Sequence, residues 1–218
     1  MLVVFSGIDG AGKSTQIKLL SEYLCKKNIS YATVWSRGGY TPGIELIKKI
    51  YRKLFSFNSL SQKNKRDELM SNKKINYLWI CIALLDLLIY YTVFLRLKIL
   101  TKKIVICDRY LYDTFIDFSL NFPEINFSEK LLWKLLRKLS PKPNFSFLLM
   151  ISTKESISRS KKKNDPFAED IKKIEQRIKL YENSTYFDHN QVNTIDCMKN
   201  IDQVLNEILT SMSAVLNK

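Results

Sequence analysis

The hydrophobic pattern along the chain alternates between short continuous apolar runs and longer amphipathic stretches. Five apolar runs are predicted to be buried strands, because a continuous apolar run suits a strand covered on both faces. They are Leu2–Ser6, Ala32–Ser36, Ile104–Cys107, Phe145–Ile151 and Val192–Ile195. Between them the spacing predicts helices over 14–27, 44–55, 73–99, 128–139, 167–183 and 200–216. Such alternation is typical of an α/β fold with a five-stranded parallel sheet and helices on both faces.

Nothing in the pattern divides the chain. We find no internal repeat and no long linker, so the 218 residues are expected to form a single domain, 1–218. Two polar stretches, 56–72 and 160–166, are predicted loops, and each suits either a flap over a site or a plain surface loop.

The compartment follows from three further observations. The N-terminal apolar run stops at Gly7 after four apolar residues, which is too short for a signal peptide. Residues 78–100 are apolar enough to raise the question of a membrane span, but Asp86 and Arg96 interrupt them, so a buried core helix is expected. The four cysteines are widely separated and there is one histidine, which indicates a reduced, cytoplasmic protein without a zinc cluster.

The formal net charge is +14, a value found in proteins that bind nucleic acids or anionic membranes. Most of the lysines and arginines are scattered in pairs, however, and only 63–66 and 161–163 are clustered. Abundant lysine on solvated helix faces is the simpler interpretation, and a polyphosphate substrate would also suit a basic cleft. We therefore expect neither nucleic acid nor membrane as a partner.

The most specific motif lies directly after the first predicted strand. Residues 7–15 read GIDGAGKST, which matches the phosphate-binding pattern G-x-x-x-x-G-K-[ST] between a strand and a helix. Backbone N–H groups in such a loop face an anion, and the helix N-terminus adds partial positive charge. Lys13 is predicted to contact the outer phosphates of ATP and Ser14 to ligate Mg²⁺. The ATP-binding residues are predicted to be Gly7, Ile8, Asp9, Gly10, Ala11, Gly12, Lys13, Ser14 and Thr15.

Two more candidates follow predicted strands, at the edge where α/β sheets bind their ligands. Asp108 ends the run IVICD and is predicted to hold Mg²⁺ or its waters, and Arg109 beside it is suited to a bidentate phosphate contact. Arg37 follows the second strand, next to Gly38 and Gly39. The alternatives are a surface Asp–Arg pair and an arginine that serves only to cap a structural element.

These motifs together resemble the thymidylate kinase family. The family carries a phosphate loop of the form GxDGxGKST, an Arg-Glu-Pro-Gly stretch after strand two and Asp-Arg-Tyr after strand three, which correspond here to 7–15, an altered 37–43 and 108–110. The resemblance covers nearly the whole chain. It implies a P-loop NTPase fold with a short lid near 153–166, ATP and Mg²⁺, a nucleoside monophosphate acceptor, with dTMP as the default, and a homodimer.

The resemblance also implies roles for individual residues. Asp9 would meet the acceptor's sugar hydroxyl, Arg37 and Arg109 would hold its phosphate, and Lys13 would stabilise the transferring phosphoryl group. Gly10 stands where some members have an arginine, and members with glycine there draw the compensating cation from the lid. Arg159 is therefore a candidate catalytic residue together with the lysines at 161–163, although those lysines are equally well explained as a solvated loop.

The positions that read the acceptor base depart from the family. Its helix typically reads Leu-Leu-Phe-Ala-Ala-Asp-Arg, with the Asp 22 residues before that of Asp-Arg-Tyr, and Asp86 lies 22 residues before Asp108. In that register the stacking Phe becomes Ala83 and the base-reading Arg becomes Leu87, while a Tyr and a Gln further on become Asp117 and Phe118. Trp79 or Tyr90 could supply the stack from another turn. A same-fold kinase for another nucleotide, nucleoside or phosphorylated metabolite thus stays open, as does a non-catalytic nucleotide- or nucleic-acid-binding protein.

Overall fold

The computed structural model describes residues 1–36, 73–162, 169–183 and 192–216. Its centre is a five-stranded, entirely parallel sheet in the order β2-β3-β1-β4-β5. The strands are β1 (Leu2–Gly7), β2 (Tyr31–Trp35), β3 (Ile104–Asp108), β4 (Phe145–Met150) and β5 (Asn193–Asp196). All five predicted strands are confirmed, with ends shifted by one residue. The prediction of a P-loop α/β fold is confirmed as well.

Side chains of the central strands alternate between two separate hydrophobic clusters, one on each face of the sheet. From β1, Val3 and Phe5 enter the first cluster, and Leu2 and Val4 enter the second. Residues 104–107 of β3 alternate in the same way, so both faces of the sheet are covered by helices. This two-sided burial explains the continuous apolar runs in the sequence.

The helices agree with the predictions in part. They are α1 (Lys13–Lys26), α2 (Lys73–Ile89), α3 (Arg96–Thr101), α4 (Leu111–Asn121), α5 (Leu131–Leu139), α6 (Thr153–Lys162), α7 (Ile171–Asn183) and α8 (Ile201–Leu216). A 3₁₀ turn, Phe127–Glu129, precedes α5. Helices α4 and α6 were not predicted, and α7 begins later than the predicted residue 167. The helix predicted over 44–55 lies outside the described residues.

Helices α2 and α3 are continuous through a π-helical turn, Tyr90–Leu95. One face of this long helix is in the second cluster through buried residues such as Leu84, Leu87 and Tyr91. By length and composition alone, Lys73–Thr101 could cross a membrane, with a mean hydropathy of 2.2 and 33% of its apolar window buried. One face packs on the sheet and the other exposes apolar side chains such as Leu78 and Leu100, so the helix is only half-buried where a buried core helix was expected.

Candidate functional site

The phosphate loop turns sharply where glycine is required. Gly7 ends β1 with φ +137°, and a Cβ there would lie 2.1 Å from the carbonyl oxygen of Leu149 on the neighbouring strand. Gly10 has φ +81°, and its Cβ position lies 3.4 Å from the carbonyl oxygen of Ser156 on α6. A larger residue at Gly7 would push the backbone of β4 away, whereas at Gly10 the positive φ, more than a lack of space, favours glycine. The loop therefore curls because the chain has no side chain at these two points.

Not every residue predicted to bind ATP can do so through its side chain. Ile8 and Ala11 are buried in the first hydrophobic cluster, so only their backbone groups are available to a ligand. Ser14 and Thr15 are exposed in the first turn of α1, the end of a helix that attracts anions. The loop thus offers backbone N–H groups and two hydroxyls to a phosphate chain.

Lys13 lies under the loop and is almost fully buried. Its ammonium donates hydrogen bonds to the carbonyl oxygens of Gly7 and Ile8, both at 2.8 Å, and lies 3.9 Å from the Asp9 carboxylate. Burial, with the nearby positive charge of Arg109, lowers the pKa of Lys13 to about 8. A bound dianionic phosphate would offset the cost of burying the Lys13 ammonium, because an opposite charge stabilises its protonated form.

Asp108 ends β3 opposite Phe5 of β1, at the carboxyl edge of the sheet. Its Oδ1 atom is buried and has no hydrogen-bond partner within the described part of the chain. Burial raises the pKa of this carboxyl, although Lys13 and Arg109 act in the opposite direction. A buried carboxylate oxygen without a donor is costly, so a cation or its bound water is the partner that this position suits.

Arg109 is held in one place by backbone and side-chain contacts. Its φ is +73°, and its N–H donates to the carbonyl oxygen of Phe5 at 2.8 Å. Its guanidinium forms ion pairs with Asp9 and, at 3.2 Å, with Asp113. Burial alone would lower the pKa of Arg109, but Asp113 and Asp9 raise it. The guanidinium is therefore a permanent cation beside the phosphate loop.

Asp9 joins the loop to two other elements. Its side chain is 39% exposed, so the carboxylate that pairs with Arg109 still reaches the solvent. Its backbone carbonyl accepts a 2.7 Å hydrogen bond from the Ser156 hydroxyl on α6. The carboxylate is thus positioned where a polar acceptor could meet it, as the predicted contact with a sugar hydroxyl requires.

Arg159 contacts the phosphate loop from α6. Its guanidinium donates to the carbonyl oxygens of Gly10 at 3.1 Å and Cys197 at 3.2 Å, and it pairs with Glu155 at 2.7 Å. Lys161 and Lys162 are exposed at the end of α6, and Lys163 lies outside the described residues. The catalytic role of Arg159 stays a prediction, and here its head group is bound to the loop backbone.

Arg37 also lies outside the described residues, but the residue before it is well defined. Ser36 follows β2, and its hydroxyl donates to the carbonyl oxygen of Arg109 at 3.1 Å and lies 2.9 Å from the hydroxyl of Tyr91. The Ser36 N–H donates to the carbonyl oxygen of Asp108. The end of β2 is therefore fastened directly to the Asp108–Arg109 turn.

The positions that replace the family's base readers lie in the interior. Ala83 and Leu87 on α2 are fully buried in the second cluster, which also contains Phe118 of α4. Asp117 on α4 pairs with Arg177 on α7 at 2.7 Å, with both side chains at most 5% exposed. Trp79 and Tyr90, the suggested substitutes for the stacking ring, are partly buried against the same cluster.

Sequence reasoning missed a buried carboxylate behind Arg109. Asp113 accepts hydrogen bonds from Ser6, Arg109, the backbone N–H of Tyr110 and the hydroxyl of Tyr181. The Arg109–Asp113 spacing of i, i+4 is a helical signal, but the pairing with Tyr181 comes from a segment 68 residues away. Without the helix at 111–121 in the prediction, that spacing had no meaning.

Comparisons with known proteins agree with this geometry. A model of the thymidylate kinase family matches residues 5–208. A probable thymidylate kinase of Methanocaldococcus jannaschii is 30% identical over 211 residues, which cover 96% of this chain and 94% of that protein. A thymidylate kinase of Desulfotalea psychrophila is 26% identical, covering 99% and 95%.

Two solved structures share the fold. Deoxyadenosine kinase from M. mycoides superposes with a TM-score of 0.59 at 17% identity, covering 99% of this chain and 100% of that one. Thymidylate kinase from Ehrlichia chaffeensis superposes with a TM-score of 0.54 at 22% identity, covering 98% of both chains. The family match and the Methanocaldococcus relative decide the assignment: this chain belongs to the thymidylate kinase family of phosphotransferases.

Proposed function

We propose that this enzyme transfers the γ-phosphoryl group of ATP to dTMP, giving dTDP and ADP. A phosphate oxygen of dTMP attacks the γ-phosphorus, and the bond from that phosphorus to the β–γ bridging oxygen breaks. The observation that carries the proposal is the meeting of Lys13, Asp108 and Arg109 at one sheet edge, around a phosphate loop. Two cations and a metal-suited carboxylate are what a phosphoryl transfer between two anions needs.

On the donor side, the backbone N–H groups of residues 7–15 would bind the phosphates of ATP. Lys13 would leave the carbonyl oxygens of Gly7 and Ile8 and hold the transferring phosphoryl group, where negative charge is greatest. In the ligand-free enzyme the Lys13 ammonium already donates to these two carbonyl oxygens. Only a stronger acceptor, such as a phosphate oxygen, would therefore draw it away.

Mg²⁺ fits the residues that are present. Among the described residues, no three His, Cys, Asp or Glu side chains come together as a metal site, so the protein alone supplies few ligands. Such a sparse set suits Mg²⁺, which keeps several waters and takes phosphate oxygens. Ser14 and Asp108, with its bare buried oxygen, are the residues that would hold it. The ion neutralises charge on the phosphates when bound.

On the acceptor side, Arg109 would bind the phosphate of dTMP with help from Arg37. The pairing of Arg109 with two carboxylates keeps its guanidinium oriented, and the partly exposed Asp9 would accept a hydrogen bond from the sugar.

We also keep the single domain and the lid near 153–166 as proposals. The lid would begin within α6, whose Ser156 and Arg159 are fastened to the phosphate loop.

The acceptor base is where this chain differs from its family. Since Ala83, Leu87 and Phe118 are core residues and Asp117 is paired with Arg177, none is placed to stack on or read a base. A stack is worth about 1–3 kcal/mol per base. We therefore propose a weaker preference for dTMP than typical members have, and a kinase for another nucleoside monophosphate is the second candidate.

The test is kcat/KM across dTMP, dUMP, UMP, CMP, dGMP and the matching nucleosides. We expect turnover of monophosphates, dTMP included, with ratios well below those of a selective enzyme. A strong and exclusive preference for dTMP would contradict the altered reading and leave the main proposal intact. Turnover of nucleosides without any monophosphate would contradict the main proposal, because Arg109 would then lack its phosphate.

We further propose a homodimer in the cytoplasm. The support is a stripe of exposed apolar side chains along the outer face of the long helix: Leu78, Ile82, Leu85, Ile89, Val93, Leu97 and Leu100. A stripe of this length is costly to leave in water and suits a self-complementary contact. Light scattering after gel filtration should give twice the mass of one chain, and Leu85→Glu should give a single chain. A monomeric wild type that floats with anionic vesicles would mean that the stripe binds membrane instead.

A further inference from the structure

The interface between α4 and α7 is a buried ladder of polar contacts. Asp113 and Asp117 lie one helical turn apart on α4, and Arg177 and Tyr181 lie one turn apart on α7. The Tyr181 hydroxyl donates to Asp113 at 2.8 Å, and Arg177 donates to Asp117 at 2.7 Å. All four side chains are buried. Two rungs at matching spacing fix the helices in register as well as in distance.

The first rung acts directly on Arg109. Asp113 Oδ2 accepts from Ser6 at 2.6 Å and from the Tyr110 N–H at 3.1 Å. Among the residues that the structure describes, Asp113 Oδ1 accepts from the Tyr181 hydroxyl and the Arg109 guanidinium. The same oxygen that orients the guanidinium is therefore shared with Tyr181. Loss of that hydroxyl would leave Oδ1 to Arg109 alone and loosen the carboxylate's rotation.

The second rung and one neighbouring contact fix Tyr181 itself. Arg177 is 2% exposed and also pairs with Glu169, at 2.5 Å, just before α7 begins. The Tyr112 ring meets the Tyr181 ring edge to face and orients that side chain, whereas the Tyr112 hydroxyl donates to the main-chain carbonyl oxygen of Tyr181 at 2.6 Å. These contacts hold the Tyr181 side chain in place, so that its hydroxyl donates to one oxygen of Asp113.

We propose that Tyr181 is a positioning residue for acceptor binding: through Asp113 it holds the Arg109 guanidinium in the orientation that receives the acceptor's phosphate. This inference rests on the proposed role of Arg109. The Nη1 atom that donates to Asp113 also makes a long, 3.4 Å hydrogen bond to the carbonyl oxygen of Gly7, and Nη2 pairs with Asp9, so the direction of the guanidinium depends on how firmly the Asp113 carboxylate is held. The effect is therefore specific to a phosphorylated acceptor and does not extend to ATP.

Tyr181→Phe is the test, and Tyr112→Phe is the matched control. Each variant removes one hydroxyl from the same helix pair, but only Tyr181→Phe removes a donor from Asp113. The measurements are KM for dTMP and for ATP, the Kd of dTMP and of thymidine by titration calorimetry, and Tm. We expect Tyr181→Phe to raise KM and Kd for dTMP about 3- to 10-fold, which is less than the full value of a hydrogen bond to a charged group because the effect reaches dTMP only through Asp113 and Arg109. In Tyr181→Phe, KM for ATP and Kd for thymidine should stay within about twofold. Tyr112→Phe should leave KM and Kd for dTMP unchanged.

Two further variants separate this inference from the assignment on which it rests. Arg109→Lys should raise the Kd of dTMP at least as much as Tyr181→Phe; if it does not, the phosphate contact and the positioning role both fall. If Arg109→Lys has that effect and Tyr181→Phe does not, only the positioning role is overturned. Should Tyr181→Phe not fold, Arg177→Lys loosens the other rung, and a loss shared equally by dTMP and ATP would overturn the inference too.

Discussion

Two guanidinium groups flank the phosphate loop, and they are held in opposite ways. Arg109 is 7% exposed and is bound by the carboxylates of Asp9 and Asp113. Arg159 is 33% exposed and is bound by two backbone carbonyl oxygens and by Glu155, its own helical neighbour at i, i+4. The first is part of an interior charge network, and the second is attached to the surface of the loop.

The difference indicates what each cation can do. A charge enclosed by carboxylates has been desolvated when the chain folds, so it is ready for an anion without further rearrangement. A charge held mainly by neutral carbonyl oxygens is more easily released, because a carbonyl oxygen attracts a guanidinium less strongly than a carboxylate does. Arg109 is therefore suited to a fixed site, and Arg159 to a group that moves when substrate binds or that fastens α6 to the loop.

The largest effect on kcat is expected from a change at Lys13, the buried cation of the phosphate loop. Lys13→Ala removes the only ammonium that the described structure places inside the loop, and we expect kcat to fall about 1,000-fold. The fold should persist, since the change relieves a buried charge. Steady-state kinetics and circular dichroism make the measurement, with Lys18→Ala on the exposed side of the same helix as the control. A variant with near-normal kcat would remove the basis of the proposed reaction.

The comparison itself is broken or confirmed by a matched pair, Arg109→Met and Arg159→Met. The first leaves a buried carboxylate without its partner and should lower the free energy of unfolding by about 3–5 kcal/mol. The second removes a partly exposed ion pair and two backbone contacts, so we expect a loss of about 1–2 kcal/mol. Urea denaturation of both variants gives the values. Equal losses would mean that the two guanidiniums are held equally strongly.

Asp108→Asn tests whether the carboxylate next to Arg109 acts through a metal. A neutral amide is a weaker ligand for a divalent cation or its waters, so kcat should fall about 10- to 100-fold. The ratio of activities with Mg²⁺ and Mn²⁺ should change as well. Asp196→Asn, at the exposed end of β5 on the same sheet edge, is the control. An unchanged metal dependence would argue against this role for Asp108.

The sequence predicted the phosphate loop and the strands better than it predicted contacts between distant segments. The phosphate loop, residues 7–15, is a contiguous motif between a strand and a helix, so it could be located without knowledge of tertiary contacts. The strands were also predictable, because each is covered on both faces and reads as a continuous apolar run. Both kinds of signal are local in the chain.

The missed elements depend on contacts that are distant in sequence. Helix α4 carries two carboxylates on a buried face, which reads as an error in an apolar pattern until Arg109 and Arg177 are placed against them. Helix α6, Thr153–Lys162, is mostly polar, and its buried residues are Ser156 and Ser160. Its packing on the phosphate loop through Ser156 and Arg159 replaces the hydrophobic stripe that would have identified it.

The pH dependence of ATP use should show the lowered pKa of the buried Lys13. Burial and the neighbouring guanidinium lower the pKa of Lys13 to about 8, against 10.5 for a free lysine. Above pH 8 the folded chain loses this proton before the unfolded chain does, so this group makes the free enzyme more stable with rising pH. Catalysis needs the charged form, so kcat/KM for ATP should fall about 10-fold between pH 7 and pH 9. Lys13→Arg, which does not titrate there, should lack this limb, and a limb that persists in it would belong to another group.

The smallest effect is expected from the lysines that follow Arg159. Lys161 and Lys162 are exposed at the end of α6, and Lys163 follows them in the sequence. Because Gly10 leaves the loop without the cation that some family members have there, a cation from this region would stabilise charge developing on the phosphoryl oxygens. Changing all three lysines to Gln, with Arg159 kept, should lower kcat about threefold and leave KM for ATP within about twofold. The control changes the exposed Lys154, Lys172 and Lys179 to Gln, which alters net charge equally. The same kcat in both triple variants would show that the three lysines are only a solvated surface. In that case the end of α6 contributes no charge to the reaction beyond Arg159.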